Sequence, residues 1–225
     1  MASQKSTAAT AALPSPPAPS QDAGPAKGAA PKRARGRQTV AALMDAATQV
    51  FAEKGYDATT MTEIAARSGT AIGSLYRFFP SKDAMAEAVL LRYGQRTGAA
   101  LDGLVVRAAS LATATARADA LVDLMLGLRG ERAVVKVLMD SRPDAAAKRG
   151  YMRSEVSTRI ARLLIAWAPA LPPDRASVLA LMVLFLMKTV PELMETDEAD
   201  ALLGEVRVVL RAYLAAALHD PASAE

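Results

Sequence analysis

The chain has 225 residues, of which 52% are hydrophobic and only 4% aromatic, enough for a substantial core built mainly from aliphatic side chains. With no cysteine and a single histidine, His219, it has no means of forming disulfides, His/Cys metal clusters or a histidine-based triad; no enzyme, metal or cofactor is expected, and a reducing cytoplasm fits. The net charge of +4 is concentrated between Lys27 and Asp83, where nine Lys/Arg meet five Asp/Glu, while residues 84–225 carry seventeen of each sign, so the excess positive charge lies in one short stretch ahead of a neutral remainder.

Residues 1–31 are rich in Ala, Pro, Ser and Thr and include PSPPAPS, a composition that cannot bury a core and predicts disorder. No apolar stretch follows a basic start there, so no secretory signal is expected. Lys32-Arg33-Ala34-Arg35-Gly36-Arg37 follows, a basic arm for a minor groove or phosphates, or else a solvated helix leader. The leader is taken as residues 1–36.

A first helix is predicted from Gln38 to Lys54, with Val40, Leu43, Met44, Ala47 and Phe51 in one stripe and Gly55 closing it. Thr60-Met61-Thr62-Glu63 has the form of a capping box and starts a second helix. Gly69 ends that helix in a left-handed conformation. Ile72, Leu75 and Phe79 then place an apolar face on a third helix. Pro80-Ser81 breaks it, and Ser81 caps the fourth, which is expected to reach about Ala109. Two short helices around such a turn form a helix-turn-helix, whose second helix enters the DNA major groove. Its groove face is expected to carry Ala71, Ile72, Gly73, Ser74, Tyr76 and Arg77. Arg77 is the only long donor there and suits a bidentate contact to guanine or a contact to phosphate. Ile72 suits a thymine methyl. Lys82, in the first turn of the fourth helix, opposes the helix dipole, an unfavourable placement that a nearby phosphate would reverse.

Beyond residue 84 further helices are predicted. Thr113–Gly130 and Glu131–Ser141 give two, a long one opens at Pro143 and ends at Trp167, another runs from Pro172 to Met194 with Pro191 inside it, and the last spans Glu198–His219. The most apolar run, Val178–Met187, is ten residues, which is too short for a membrane span. The whole reads as an all-α chain of about nine helices: a leader (1–36), a DNA-binding head (37–83) and a helical body (84–225).

The run AATQVFAEKGYDATTMTEIAARSGTAIGSLYRFFPSKDAM resembles the N-terminal DNA-binding domain of the tetracycline-repressor (TetR) family. Phe51, Glu53-Lys54-Gly55-Tyr56, Thr60, Ile64-Ala65, Gly69, Gly73-Ser74-Leu75-Tyr76, Phe79 and Ser81-Lys82 carry the likeness, which spans roughly Val40–Tyr93. It implies phosphate contacts from Thr60 and its neighbour Thr62, from the Tyr76 hydroxyl and from Lys82. Family members often have a polar residue where this chain has Ile72. The resemblance also implies a body that binds a small effector and dimerises through its last two helices. Leu202, Val206, Val209, Leu210, Tyr213, Leu214 and Ala217 stripe the last helix, and Val178, Leu181, Met182, Phe185 and Leu186 stripe the one before, so a four-helix interface or an intramolecular core would use them. Tyr93, Met125, Tyr151, Met152 and Trp167 are the candidate effector contacts, suited to an apolar or aromatic molecule. The implied function is a transcriptional repressor that binds a palindromic operator in double-stranded DNA as a homodimer. The alternative is a DNA-bound protein whose body docks a protein partner.

Overall fold

The computed structural model describes residues 29–141 and 145–218, apart from the side chains of residues 29–33 and 145–147. The leader before Ala29, the Arg33 side chain, the Pro143 helix start and His219 therefore lie outside the described residues. The chain divides into two compact units, residues 1–37 and residues 38–225. In the first unit Arg35 and Arg37 are exposed and helical.

Eight α-helices and one 3-10 turn make up the described chain, with no strand among the described residues. α1 (Ala29–Ala58) starts nine residues ahead of the expected Gln38 and is interrupted at Gly55, whose φ of 76° is left-handed. Its expected stripe is the buried one: Leu43, Met44, Ala47 and Phe51 face the core, together with Val50, and Val40 packs at its edge. α2 (Met61–Arg67) buries Met61, Ile64 and Ala65, and α3 (Ile72–Phe78) buries Leu75. Gly69, at φ 64°, makes the turn between them.

One expectation about α3 is corrected. Ile72 does not share an apolar face with Phe79; it is 42% exposed. The i, i+7 spacing assumes a helix through residue 79, but α3 ends at Phe78, and Phe79 is extended at φ −133°, ψ 96°, which turns its ring inward on its own.

α4 (Lys82–Val106) is capped by Ser81, whose Oγ accepts from the Ala84 N–H at 3.1 Å. It continues the core with Met85, Val89, Leu90, Tyr93, Leu101 and Leu104. Head and body thus form one compact unit, residues 38–225. After the 3-10 turn at Ala108–Ser110, α5 (Ala114–Asp140) is one helix where two were expected. Gly127 and Gly130 read as a break, since a glycine costs about 1 kcal/mol in a helix interior. Burial of Met125, Leu128, Val134, Val135 and Leu138 on both sides outweighs that cost.

α6 (Ala145–Trp167), α7 (Pro173–Leu193) and α8 (Ala199–Leu218) complete the body, with α6 against α4 and α7, and α5 between α4, α7 and α8. By length and composition alone α7 is long and apolar enough to cross a membrane, a test that a core helix passes equally. In this fold its face of Ala176, Leu179, Ala180, Val183, Leu184, Met187 and Val190 is buried. Its stripe of Val178, Leu181, Met182 and Phe185 faces outward. The stripe expected on α8 splits: Leu210, Leu214 and Ala217 are core, while Val209 is exposed, as is its neighbour Val208 outside the stripe. Arg207 ties α8 to α5 by donating to Asp119 at 2.6 Å and Asp123 at 2.8 Å.

Candidate nucleic-acid interface and body pocket

The head is assembled from local signals that the structure reproduces bond by bond. The Thr60 hydroxyl oxygen accepts from the Glu63 N–H at 3.2 Å, and the Glu63 carboxylate accepts from the Thr60 N–H at 3.1 Å, a reciprocal capping box. The Thr60 hydroxyl also donates to Glu63 at 3.0 Å. Lys54 of α1 pairs with the same carboxylate. These bonds, the one from Lys54 first, pull Glu63 from the usual 4.5 down to about 2. Arg67 at the end of α2 grips Glu53 of α1 with two bonds of 2.6 Å, which holds Glu53 below the usual carboxylate range. Buried Thr59 donates to the Gly55 carbonyl at 2.6 Å, fastening the interrupted end of α1. Neither Thr59 nor the Arg67–Glu53 pair was singled out from sequence. Their partners lie four and fourteen residues away around the glycine turn, so spacing alone did not reveal them.

Of the expected groove face, Ala71, Ile72, Gly73, Tyr76 and Arg77 are exposed and Ser74 is half-buried. Tyr76 is 49% exposed. No atom lies within 4 Å of the place a Cβ would occupy on Gly73. The Arg77 guanidinium lies 4.9 Å from the Phe78 ring centroid. Thr60 and Thr62 are exposed at the start of α2.

Lys82 has partners within the protein. Its ammonium donates to the backbone carbonyls of Tyr56 at 2.8 Å and Asp57 at 3.0 Å, and sits 4.5 Å over the Tyr56 ring. The Tyr56 hydroxyl in turn donates to Asp83 at 2.7 Å. Two of the three ammonium donors thus close the end of α1 onto the start of α4. The dipole penalty read from the sequence is offset inside the protein, by carbonyls with the polarity of a phosphate oxygen.

The body holds a pocket of about 340 Å³ between α4 and α6, with Met139 of α5 also in its lining. Tyr93, Tyr151 and Met152 line it. Met125 and Trp167 do not: both are buried in the core, and Trp167 has the Arg117 guanidinium 5.7 Å from its ring. A methionine or aromatic at core spacing looks the same in sequence whichever neighbour it meets. Between the two pocket residues Leu91 and Tyr93 stands Arg92, which turns toward the head. It donates to Asp45 at 2.7 Å, the Thr48 hydroxyl at 2.8 Å and the Met44 carbonyl at 3.2 Å, all on α1. Among the described residues no group of His, Asp or Glu could hold a metal ion.

A sequence model described as bacterial regulatory proteins, tetR family, matches residues 43–89, which run from the core of α1 into α4. An HTH-type transcriptional repressor of Mycobacterium tuberculosis is 33% identical over 150 residues, covering 66% of this chain and 70% of that one. Among solved structures, a tetR-family regulatory protein from Rhodococcus RHA1 superposes at a TM-score of 0.55 with 24% identity, covering 80% of this chain and 95% of that one. Salmonella enterica GusR superposes at 0.60 with 19% identity, over 80% of this chain and 95% of that one. With its capping box, glycine turn and outward-facing α3, the chain belongs to the tetR family of bacterial regulatory proteins and is a DNA-binding transcription regulator.

Proposed function

We propose that the chain is a cytoplasmic repressor that binds a palindromic operator as a homodimer and leaves it when a small apolar molecule occupies the α4–α6 pocket. The observation that carries this reading is the pairing of two outward surfaces: the polar-edged face of α3 and the apolar face of α7 and α8. The first suits a major groove. The second exposes Val178, Leu181, Met182, Phe185, Val208 and Val209, the pattern of a four-helix interface between two copies. The M. tuberculosis relative is named a repressor, which supports the sign of regulation.

In this reading Arg77 reads a base edge, while Tyr76, Thr60 and Thr62 meet phosphates. Ala71, Ile72, Gly73 and Ser74 make the close, largely apolar approach. Lys82 acts mainly by holding the head together, and Arg33, Arg35 and Arg37 add attraction that carries no sequence code. A domain division into leader, head (37–83) and body (84–225) follows the same roles. The presence of a pocket in the body favours a small effector over a docked protein. Arg92 is the connection between the two, because its neighbours in α4 line the pocket and its guanidinium holds α1. A ligand that prefers the released state 100-fold shifts the equilibrium by about 2.7 kcal/mol.

The test combines sedimentation with DNA binding. Wild type sediments as a dimer, and Phe185→Glu sediments as a monomer that keeps its helicity but loses operator affinity. A monomeric wild type that binds operator as well as any dimer overturns the assembly. A broad screen of apolar small molecules with no hit that releases DNA overturns the effector.

A further inference from the structure

Three consecutive residues where α3 begins have no hydrogen-bonding group in their side chains: Ala71, Ile72 and Gly73. All three are exposed, and the place of a Cβ on Gly73 has no atom within 4 Å. Ile72 is 42% exposed. Tyr76 stands one turn further along the same side of α3, and these two are the exposed large apolar or aromatic side chains of the described head, residues 37–83. The large aliphatic residues Leu43, Val50, Ile64 and Leu75 of the same head are buried. Ile72 stands outside the core they form.

A major groove presents three kinds of feature to a protein: hydrogen-bond donors, hydrogen-bond acceptors and the C5 methyl group of thymine. In a helix-turn-helix the first residues of the second helix meet base edges. Here the side chains of those residues offer only C–H surface, so the methyl is the one feature they can engage. The hydrogen-bonding side chains come later along α3: Ser74, half-buried, then Tyr76 and Arg77, both exposed. Gly73 and Arg77 are one turn apart, and the missing side chain at Gly73 leaves the helix free to approach until Ile72 touches a base edge.

We propose that Ile72 determines specificity by packing on the C5 methyl of one pyrimidine in each half-site, so that the protein tells thymine from uracil, and 5-methylcytosine from cytosine, at that position. This rests on the reading of α3 as the groove helix. Isoleucine has no atom that separates the 4-oxo group of thymine from the 4-amino group of cytosine, and the methyl is common to thymine and 5-methylcytosine. Binding therefore responds to C5 methylation of the DNA. Burying one methyl against an aliphatic side chain gives about fourfold in affinity, which corresponds to about 0.8 kcal/mol, and about sixteenfold where both half-sites of a dimer contribute.

The probe is a duplex selected from a random pool by the full-length protein, remade with each thymine replaced singly by uracil. Titrations at fixed salt are expected to find one thymine per half-site whose loss of methyl weakens binding about fourfold, and about sixteenfold for the symmetric pair. A cytosine placed there should bind about fourfold tighter once it is methylated at C5. Ile72→Ala should keep its helicity, since Ile72 lies outside the core, and should bind the thymine and uracil duplexes equally. A duplex in which no methyl matters, an Ile72→Ala variant that keeps the full preference for thymine, or a cytosine indifferent to methylation overturns the assignment. Arg77→Ala separates this from failure of the groove helix itself. A selected sequence that depends on Arg77 but on no methyl overturns the role of Ile72 and leaves α3 in the groove, whereas selection of no sequence at all overturns both.

Discussion

Lys82→Met separates two roles that the sequence left merged. The substitution keeps the apolar stem and removes the ammonium. In the structure it deletes donations of 2.8 and 3.0 Å to the Tyr56 and Asp57 carbonyls and the contact 4.5 Å over the Tyr56 ring. Hydrogen bonds from a charged group contribute about 1.5–3 kcal/mol each when desolvated, and the low end applies to a half-buried lysine. The ring contact adds about 0.5–1 kcal/mol, and relief of the misplaced charge at the start of α4 returns about as much. Freed carbonyls regain water, so the net loss is about 2 kcal/mol. For a chain of this size that lowers Tm by about 4–8 °C. Differential scanning calorimetry without DNA reads this directly. DNA affinity should fall alongside, on operator and random duplex alike, because the α1–α4 clasp positions the head. The reasoning is refuted if Tm stays within 1 °C, about the error of the assay, while the salt slope of DNA binding drops by about 0.9, which is the signature of a lost phosphate contact.

Other predictions follow from the same geometry. Arg77→Ala should relax base preference at one position, at a cost of about 1–3 kcal/mol, whereas Tyr76→Phe should weaken operator and random DNA equally; binding titrations on both duplexes distinguish them. Glu63, depressed from 4.5 to about 2, favours the folded head fully above pH 4.5, and that contribution fades as pH falls towards 2. A carboxyl carbon-13 titration that finds an ordinary midpoint for Glu63 would remove the Lys54–Glu63–Thr60 network. Lys188, lowered by burial and by Arg132 and Arg153, carries a charge that its surroundings disfavour, so Lys188→Met should raise Tm; an unchanged or lower Tm contradicts that.

What the sequence disclosed divides by the range of the interaction. The capping box of Thr60 and Glu63, the left-handed Gly69 and the Ser81 cap are all local, and each is present. The inward stripe of α1 was likewise legible from helical period, whereas the stripe of α7 was legible only as a stripe, for an interface or for the core. Period did not decide which stripe meets which neighbour. Leu210 and Leu214 of α8 are core, Met125 and Trp167 are core and outside the lining of the α4–α6 pocket, and Ile72 is exposed while Phe79, no longer helical, turns inward. Longer-range polar contacts were invisible for the same reason. Lys82 finds carbonyls 25 and 26 residues away, and Arg92 finds a hydroxyl 44 residues away. Nothing in spacing distinguishes such a lysine from one reserved for phosphate, and Arg159 with Gly98 forms a pocket wall only after α6 has packed on α4.

Selection of bound duplexes from a random pool by the full-length protein, with the stoichiometry of the selected complex measured by sedimentation, tests the central claim most directly. The account predicts enrichment of an inverted repeat bound by an even number of chains, with enrichment lost in Arg77→Ala at one symmetric position of each half-site. Absence of any enriched sequence, or a single chain on an unsymmetric site, would contradict it.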